Sequence, residues 1–178
     1  MPASMAKTLL REKTMSRAFV NEDNAAAQAD QPVERQVSTQ PNYVTPSGLS
    51  QLQDKVVELQ TLHAEQLAKG DQADKQRLAD LERDLRYFKQ RLSSAQVVPA
   101  ATSTENVQIG SWVTFVDENG TEHRVQLVGE DQADAARGLI NWSSPLGRAL
   151  LGAHRHDEVL WQRPAGNQQI EVMRIEAA

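Results

Sequence analysis

The sequence has no cysteine, few aromatic residues and no long apolar run. The absence of cysteine from all 178 residues excludes disulfide frameworks, thiolate zinc sites and cysteine nucleophiles. It fits a reducing, cytoplasmic setting, which we expect for this chain. No apolar stretch approaches the roughly 20 residues that span a membrane, so we expect no membrane association. Aromatic residues make up only 4% of the chain, and any core must therefore be mainly aliphatic.

Negative charge predominates, with a formal net charge of -5. This balance argues against general adhesion to DNA or to an anionic membrane through bulk charge. It leaves room for a local basic patch or for a basic partner. The sequence therefore has to be interpreted segment by segment.

The first 43 residues are polar, and their apolar residues follow no sustained period. Such a composition is typical of a flexible extension, which we predict for residues 1–43. Residues 1–14 lack the apolar centre of a signal peptide. Met15 is a plausible second translation start, so we expect residues 1–14 to be dispensable.

A helical pattern begins at Thr45-Pro46, where threonine suits the N-cap and proline suits the first helical position. The pattern of the first helix ends near Leu67, with Gly70 as a natural C-terminal stop, and Asp71 or Asp74 caps the second helix. Both helices carry an apolar seam with alternating spacings of three and four residues, formed by Leu49, Leu52, Val56 and Leu59, then by Leu78, Leu81, Leu85, Phe88 and Leu92. Neither stripe can be buried alone, so residues 44–97 are predicted to form an antiparallel coiled-coil hairpin.

A period of two replaces the helical pattern after a linker at residues 98–106. Asn119-Gly120 is a strong hairpin signal, and Pro164-Ala165-Gly166 separates a second pair of strands. Between the hairpins, Ser144 and Pro145 predict the start of a short helix. Residues 107–178 are thus predicted to form a small antiparallel β domain with a short helix, which makes the fold class α+β.

Four stretches carry a resemblance to a known family over about residues 43–176: "TPSGLSQLQDKVVEL", "LSSAQVV", "VQLVGEDQADAARGLINWSSPLGRALLG" and "IEVMRIE". They resemble the GreA/GreB family of bacterial transcript-cleavage elongation factors. The resemblance implies a C-terminal domain similar to FK506-binding proteins, which anchors at the secondary channel of RNA polymerase. It also implies a coiled coil that enters the channel and contacts nascent RNA and DNA only through the elongation complex.

The same resemblance implies that Asp71 and Asp74 occupy the place of the family's acidic tip. There they would help the polymerase hold a Mg²⁺ ion of its own active site during cleavage of backtracked RNA. The chain itself would be a monomeric accessory factor without a cofactor of its own, and not an enzyme. The plainer interpretation, a helix cap and a solvated turn, stays open for both residues.

Two departures from the family pattern point to an alternative. Lys75 and Arg77 place positive charge beside the two carboxylates, where the family continues with Asn and an aromatic residue. Each arm of the hairpin is also about one heptad shorter than expected, and one heptad of helix is roughly 10 Å long. The alternative is a non-cleaving occupant of the channel that competes with Gre factors, similar to Rnk.

Two further sets of residues follow from the resemblance. Ser143, Ser144 and Pro145 are expected to bind the polymerase, and Ser144 and Pro145 are equally explained as a helix start. The basic residues Arg83, Arg86 and Lys89 are expected near the nascent RNA. The simpler interpretation of this basic set is an exposed helix face paired with Glu82 and Asp84.

Two other protein classes remain to be considered. A peptidyl-prolyl isomerase is suggested by the implied fold, but this domain has few aromatics to line an isomerase pocket. A coiled-coil scaffold without a polymerase role is disfavoured by the Ser-Pro stretch. Two histidines, His154 and His156, have no third ligand at metal spacing, so we expect no metal there.

Overall fold

The structure is a computed structural model that describes residues 33–178. Residues Glu34–Ala178 form one compact unit. Most of the predicted extension, including Met15, lies outside the described residues. Among those residues, no helix is long and apolar enough to cross a membrane.

The N-terminal half of this unit is a helical hairpin. Helix α1 spans Pro46–Leu67 and helix α2 spans Lys75–Ser93. The predicted caps are correct, because the Thr45 side chain accepts a hydrogen bond from the backbone of Gly48, and Asp74 caps α2. The buried seam residues are Leu52, Val56, Leu59, Leu81 and Leu85.

A short parallel pair of strands closes the base of the hairpin. Strand β1, Tyr43–Val44, precedes α1 and pairs with β2, Gln96–Val97, which follows α2. The extension was predicted to be flexible up to residue 43, but its last two residues, Asn42 and Tyr43, are part of the folded structure. Asn42 is buried and donates to the Arg91 carbonyl oxygen over 2.7 Å, and the Tyr43 ring lies 5.3 Å from that of Trp142.

The C-terminal half is a five-stranded sheet in the order β5-β4-β3-β7-β6. The strands and the one short helix are β3 Trp112–Asp117, β4 Glu122–Val128, β5 Leu139–Asn141, α3 Pro145–Leu150, β6 Glu158–Trp161 and β7 Gln168–Glu176. The predicted α+β class is confirmed. The predicted sheet was wholly antiparallel, whereas β5 pairs parallel with β4.

The β domain has its own aliphatic core. One face of β3 and β4 supplies Val113, Phe115, Val125 and Leu127, and α3 covers them with Leu146 and Leu150. The predicted domain boundaries at residues 98–106 stay predictions. Ala101, within that linker, is buried and accepts a backbone hydrogen bond from Ala178.

Candidate functional site

The tip of the hairpin places both predicted carboxylates at the end farthest from the β domain. Gly70–Gln72 form a single 3₁₀ turn, in which Gly70 has a φ of 55° and Asp71 is exposed. Asp74 is also exposed, and its Oδ1 accepts a hydrogen bond of 2.9 Å from the backbone N–H of Arg77. One oxygen of Asp74 is thus engaged in capping α2, while its other oxygen faces solvent.

The tip cannot hold a metal ion by itself. No group of three or more Asp, Glu or His side chains in the described part of the chain is arranged to hold an ion. Carboxylate oxygens are suitable Mg²⁺ ligands, and Mg²⁺ keeps several waters when one or two carboxylates bind it. The donor set therefore fits a shared ion, for which Asp71 and Asp74 supply only part of the coordination.

The predicted basic residues differ in their surroundings. Arg83 is paired within α2, at 3.1 Å from Asp80 and 3.2 Å from Asp84. Arg86 pairs with Glu34, a residue of the predicted extension. Lys89 is exposed and lines, with Arg86, a shallow groove between the two helices.

A buried ion pair joins the hairpin to the β domain. The Arg91 side chain is only 2% exposed, and its Nε donates to Asp131 over 2.6 Å. Glu130 lies 3.3 Å from the same guanidinium, and the Tyr87 hydroxyl donates to Asp131 over 2.8 Å. Burial, together with this hydrogen bond, raises the pKa of Tyr87 to about 12. We call Tyr87, Arg91, Glu130 and Asp131 the latch.

The start of α1 makes a second contact with the same turn. Thr45 donates to the Gln132 side chain over 2.8 Å, and Gln132 donates to Ser47 over 3.2 Å. Gly48 allows this approach, since a Cβ there would lie 2.2 Å from the amide oxygen of Gln132. The latch and this contact together fix the hairpin on the β domain.

The latch residues were not predicted from the sequence. The sequence pattern assigns no role to Arg91, and Asp131 appears only within the resembling stretch "VQLVGEDQADAARGLINWSSPLGRALLG". The available signal was that Tyr87 and Arg91 are four residues apart and therefore share a helix face away from the leucine seam. That signal does not identify a partner 40 residues away.

The predicted polymerase-binding residues lie at the start of α3. Ser143 turns inward and donates from its backbone and hydroxyl to the Asn141 side chain, at 3.0 and 3.1 Å. Ser144 caps α3, and its Oγ accepts from the backbone of Gly147 over 3.1 Å. Ser144 and exposed Pro145 line an apolar groove of about 640 Å³, together with Leu139, Ile140, Leu146 and Trp161.

Comparisons with known proteins place this architecture among transcription factors. The family model for the C-terminal part of the transcription elongation factors GreA and GreB matches residues 102–177. Transcription elongation factor GreB of Neisseria meningitidis is 31% identical over 152 residues, covering 76% of this chain and 93% of that protein. GreA of Paracoccus denitrificans is 31% identical over 148 residues, covering 74% of this chain and 95% of that protein. A solved structure, GreA factor homolog 1 of Thermus thermophilus, is 22% identical, covers 77% of this chain and 99% of that chain, and has a TM-score of 0.38.

The lengths of the aligned parts differ. The 152 residues of the Neisseria match align with 76% of the 178 residues here, which is about 135 residues. This chain is therefore shorter by about 17 residues within the aligned region. Because one relative is more than 30% identical and is covered over nearly its whole length, the chain belongs to the GreA/GreB family of transcription elongation factors.

Proposed function

We propose that this chain is a monomeric, cytoplasmic accessory factor that binds RNA polymerase at its secondary channel and stimulates cleavage of backtracked RNA. Family membership supports an elongation factor, and the geometry of the hairpin supports this role for its tip. In this proposal the hydrolytic active site belongs to the polymerase. The factor contributes the β domain as an anchor and the hairpin as a rod.

The observation that carries the proposal is the position of Asp71 and Asp74. Both lie at the end of a rod that begins at the latch, and α1 alone has 22 residues, or about 33 Å of helix. In the proposed function this rod enters the channel while the β domain stays at its rim. The carboxylates are exposed there and free to meet a partner.

The tip would complete a metal site that it cannot form alone. A second Mg²⁺ ion held beside the attacking water would lower the pKa of that water, and the two ions of such a site would together stabilise the attacking and the leaving oxygens. Asp71 would bind through either oxygen, because it has no capping role. Asp74 would bind through the oxygen that does not cap α2, and the cap would hold that carboxylate in a fixed direction.

The apolar groove beside α3 is the proposed polymerase-binding surface. Pro145 lines the groove and is exposed, so a charged side chain at that position would face a bound partner and would not be buried in the core. Pro145→Glu suits the first turn of a helix, where a carboxylate is favourable, and we expect the domain to stay folded. Affinity for polymerase should fall at least tenfold, whereas Ala136→Glu, an equal charge change on an exposed residue outside the groove, should leave it within about twofold.

A non-cleaving channel occupant is the second candidate, and the shorter chain favours it. The loss of one heptad from each arm of the hairpin, as the sequence predicts, would account for most of the deficit of about 17 residues. Arms shortened by that amount would end about 10 Å before the point that longer arms reach. Lys75 and Arg77 also add positive charge beside the carboxylates.

One assay separates the two candidates. Polymerase is halted in a backtracked complex, the protein is added, and the RNA 3′ end is followed. Release of short fragments that is lost in the double variant Asp71→Ala, Asp74→Ala supports cleavage. The control, Asp54→Ala with Glu58→Ala, removes the same charge from an exposed part of α1 and should cleave normally. Inhibition of a GreA or GreB factor without fragment release supports the channel occupant, and no binding to polymerase contradicts both.

A further inference from the structure

A segment that precedes the hairpin lies along the outer side of α2. We call residues 34–42 the strap. Its C-terminal end is fixed where Asn42 donates to the carbonyl oxygen of Arg91 over 2.7 Å and to the hydroxyl of Ser94 over 3.2 Å. Its N-terminal end contacts residues 84–88. The strap thus runs parallel to α2, from the middle of that helix towards the base of the hairpin.

Two neighbouring side chains of the strap cover a distinct stretch of α2. The Glu34 carboxylate pairs with the Arg86 guanidinium, which raises the pKa of Arg86. The Arg35 guanidinium lies 3.9 Å from the centre of the Tyr87 ring and 5.0 Å from that of Phe88. Arg35 also lies 3.7 Å from Asp84.

The covered stretch combines positive charge with aromatic rings. Its sequence is Arg86-Tyr87-Phe88-Lys89, two cations that flank two aromatics. Proteins that bind single-stranded nucleic acid use this combination, with cations for phosphates and aromatic faces for bases. Glu34 stands where a phosphate would pair with Arg86, and the planar Arg35 guanidinium stands where a base would stack.

We propose that the strap is an intramolecular competitor for single-stranded RNA at Arg86 and Lys89. The inference rests on the proposed function at the polymerase, for which the family resemblance implies that Arg86 and Lys89 lie near nascent RNA, and it adds a means of regulating RNA binding. The Glu34–Arg86 pair is exposed, with 63% and 56% of the two side chains accessible, so it is weak enough for a polyanion to displace. The strap therefore lowers RNA affinity without abolishing binding.

The test measures RNA binding by the full chain in the absence of polymerase. The probe is a fluorescein-labelled oligouridine of about 12 nucleotides, followed by anisotropy at low ionic strength. Glu34→Gln should tighten binding about two- to fivefold relative to the control Glu58→Gln. Glu58 is an exposed residue of α1 paired with Lys55, so the control makes the same change in net charge away from the strap.

Arg86→Gln shows whether the gain acts through the proposed pair. In that background Glu34→Gln should bind RNA no better than Glu58→Gln does. RNA should also speed tryptic cleavage after Arg35 in the wild-type chain, because displacement removes the contacts of Arg35 with Asp84 and Tyr87.

Three results would overturn the proposal: equal affinities for the Glu34 and Glu58 variants, a gain that persists without Arg86, or no RNA binding by any variant. Polymerase binding is measured on the same proteins. If the variants bind polymerase normally but their RNA affinity does not depend on Glu34, only the proposal about the strap is contradicted. If the wild-type chain does not bind polymerase, the proposed function is contradicted.

Discussion

The latch gives the most demanding prediction for the stability of this protein. Asp131→Ala removes the carboxylate that faces the Arg91 guanidinium, whose side chain is 2% exposed. Removal of one partner of a buried ion pair costs about 3–5 kcal/mol, because the remaining charge stays buried without compensation. Glu130 remains 3.3 Å from the guanidinium and offsets part of this loss. We therefore expect a loss of about 3 kcal/mol in the free energy of unfolding, at the low end of the range for such pairs.

The neighbouring carboxylate is the matched control. The side chain of Glu130 is 37% exposed, and pairs at such positions contribute at most about 1 kcal/mol. Glu130→Ala should therefore cost about 1 kcal/mol or less. Urea unfolding followed by circular dichroism measures both variants, with similar m-values expected because the folded surface hardly changes.

A double-mutant cycle identifies the source of the loss. In an Arg91→Met background the buried cation is absent, and Asp131→Ala should cost at most about 1 kcal/mol, the worth of the hydrogen bond from Tyr87. Two results would refute this reasoning. One is an equal loss of unfolding free energy for Asp131→Ala and Glu130→Ala. The other is an Asp131→Ala loss that is the same with Arg91 or Met at position 91, which would mean that Arg91 and Asp131 are not energetically coupled.

Four other substitutions test three separate parts of the structure. Gly48→Ala should cost about 1–2 kcal/mol by urea unfolding, because its Cβ would lie 2.2 Å from the Gln132 amide oxygen and displace that side chain from its hydrogen bonds with Thr45 and Ser47. Asp74→Ala should cost about 1 kcal/mol through loss of the N-cap, whereas Asp71→Ala should change the unfolding free energy by less than about 0.5 kcal/mol, so equal costs would contradict the assigned cap. The pKa of Tyr87 is raised to about 12 in the folded state, so the unfolded chain loses that proton first and stability should fall between about pH 10 and pH 12. Tyr87→Phe should flatten that part of the pH profile of the melting temperature, and an unchanged slope would contradict the shift.

Local chemistry was sufficient to predict the hairpin. Thr45 and Asp74 cap the helices as the sequence indicated, and the leucine seam gave both helices and their antiparallel pairing. The first helical pattern was predicted to end near Leu67, and α1 ends there. Gly70, predicted as the stop, lies three residues further on, in the 3₁₀ turn at the tip. Boundaries of this kind shift by a few residues because helix ends are decided by small differences in hydrogen bonding.

Contacts between distant parts of the chain were not predictable. Asn42 lies in a polar stretch without periodicity, and its burial depends on the end of α2, 49 residues later. Thr45 and Gln132 are 87 residues apart, so no local pattern joins them. Strand β5 has only three residues, Leu139–Asn141, too few for an alternating pattern to be recognised. The tip residues could be identified from the resemblance, whereas the residues that orient the tip could not.

The distance between the latch and the tip gives the latch a functional meaning beyond stability. With α1 about 33 Å long, a rotation of about 5° at the base displaces the tip by about 3 Å. That displacement exceeds the length of a Mg²⁺–oxygen bond, which is about 2 Å. In the proposed function the tip carboxylates meet a metal held by the polymerase, and this role requires a base that does not rotate. The buried Arg91 of α2, held by the carboxylates of Glu130 and Asp131, supplies that rigidity near the base, where a small rotation has its largest effect on the tip.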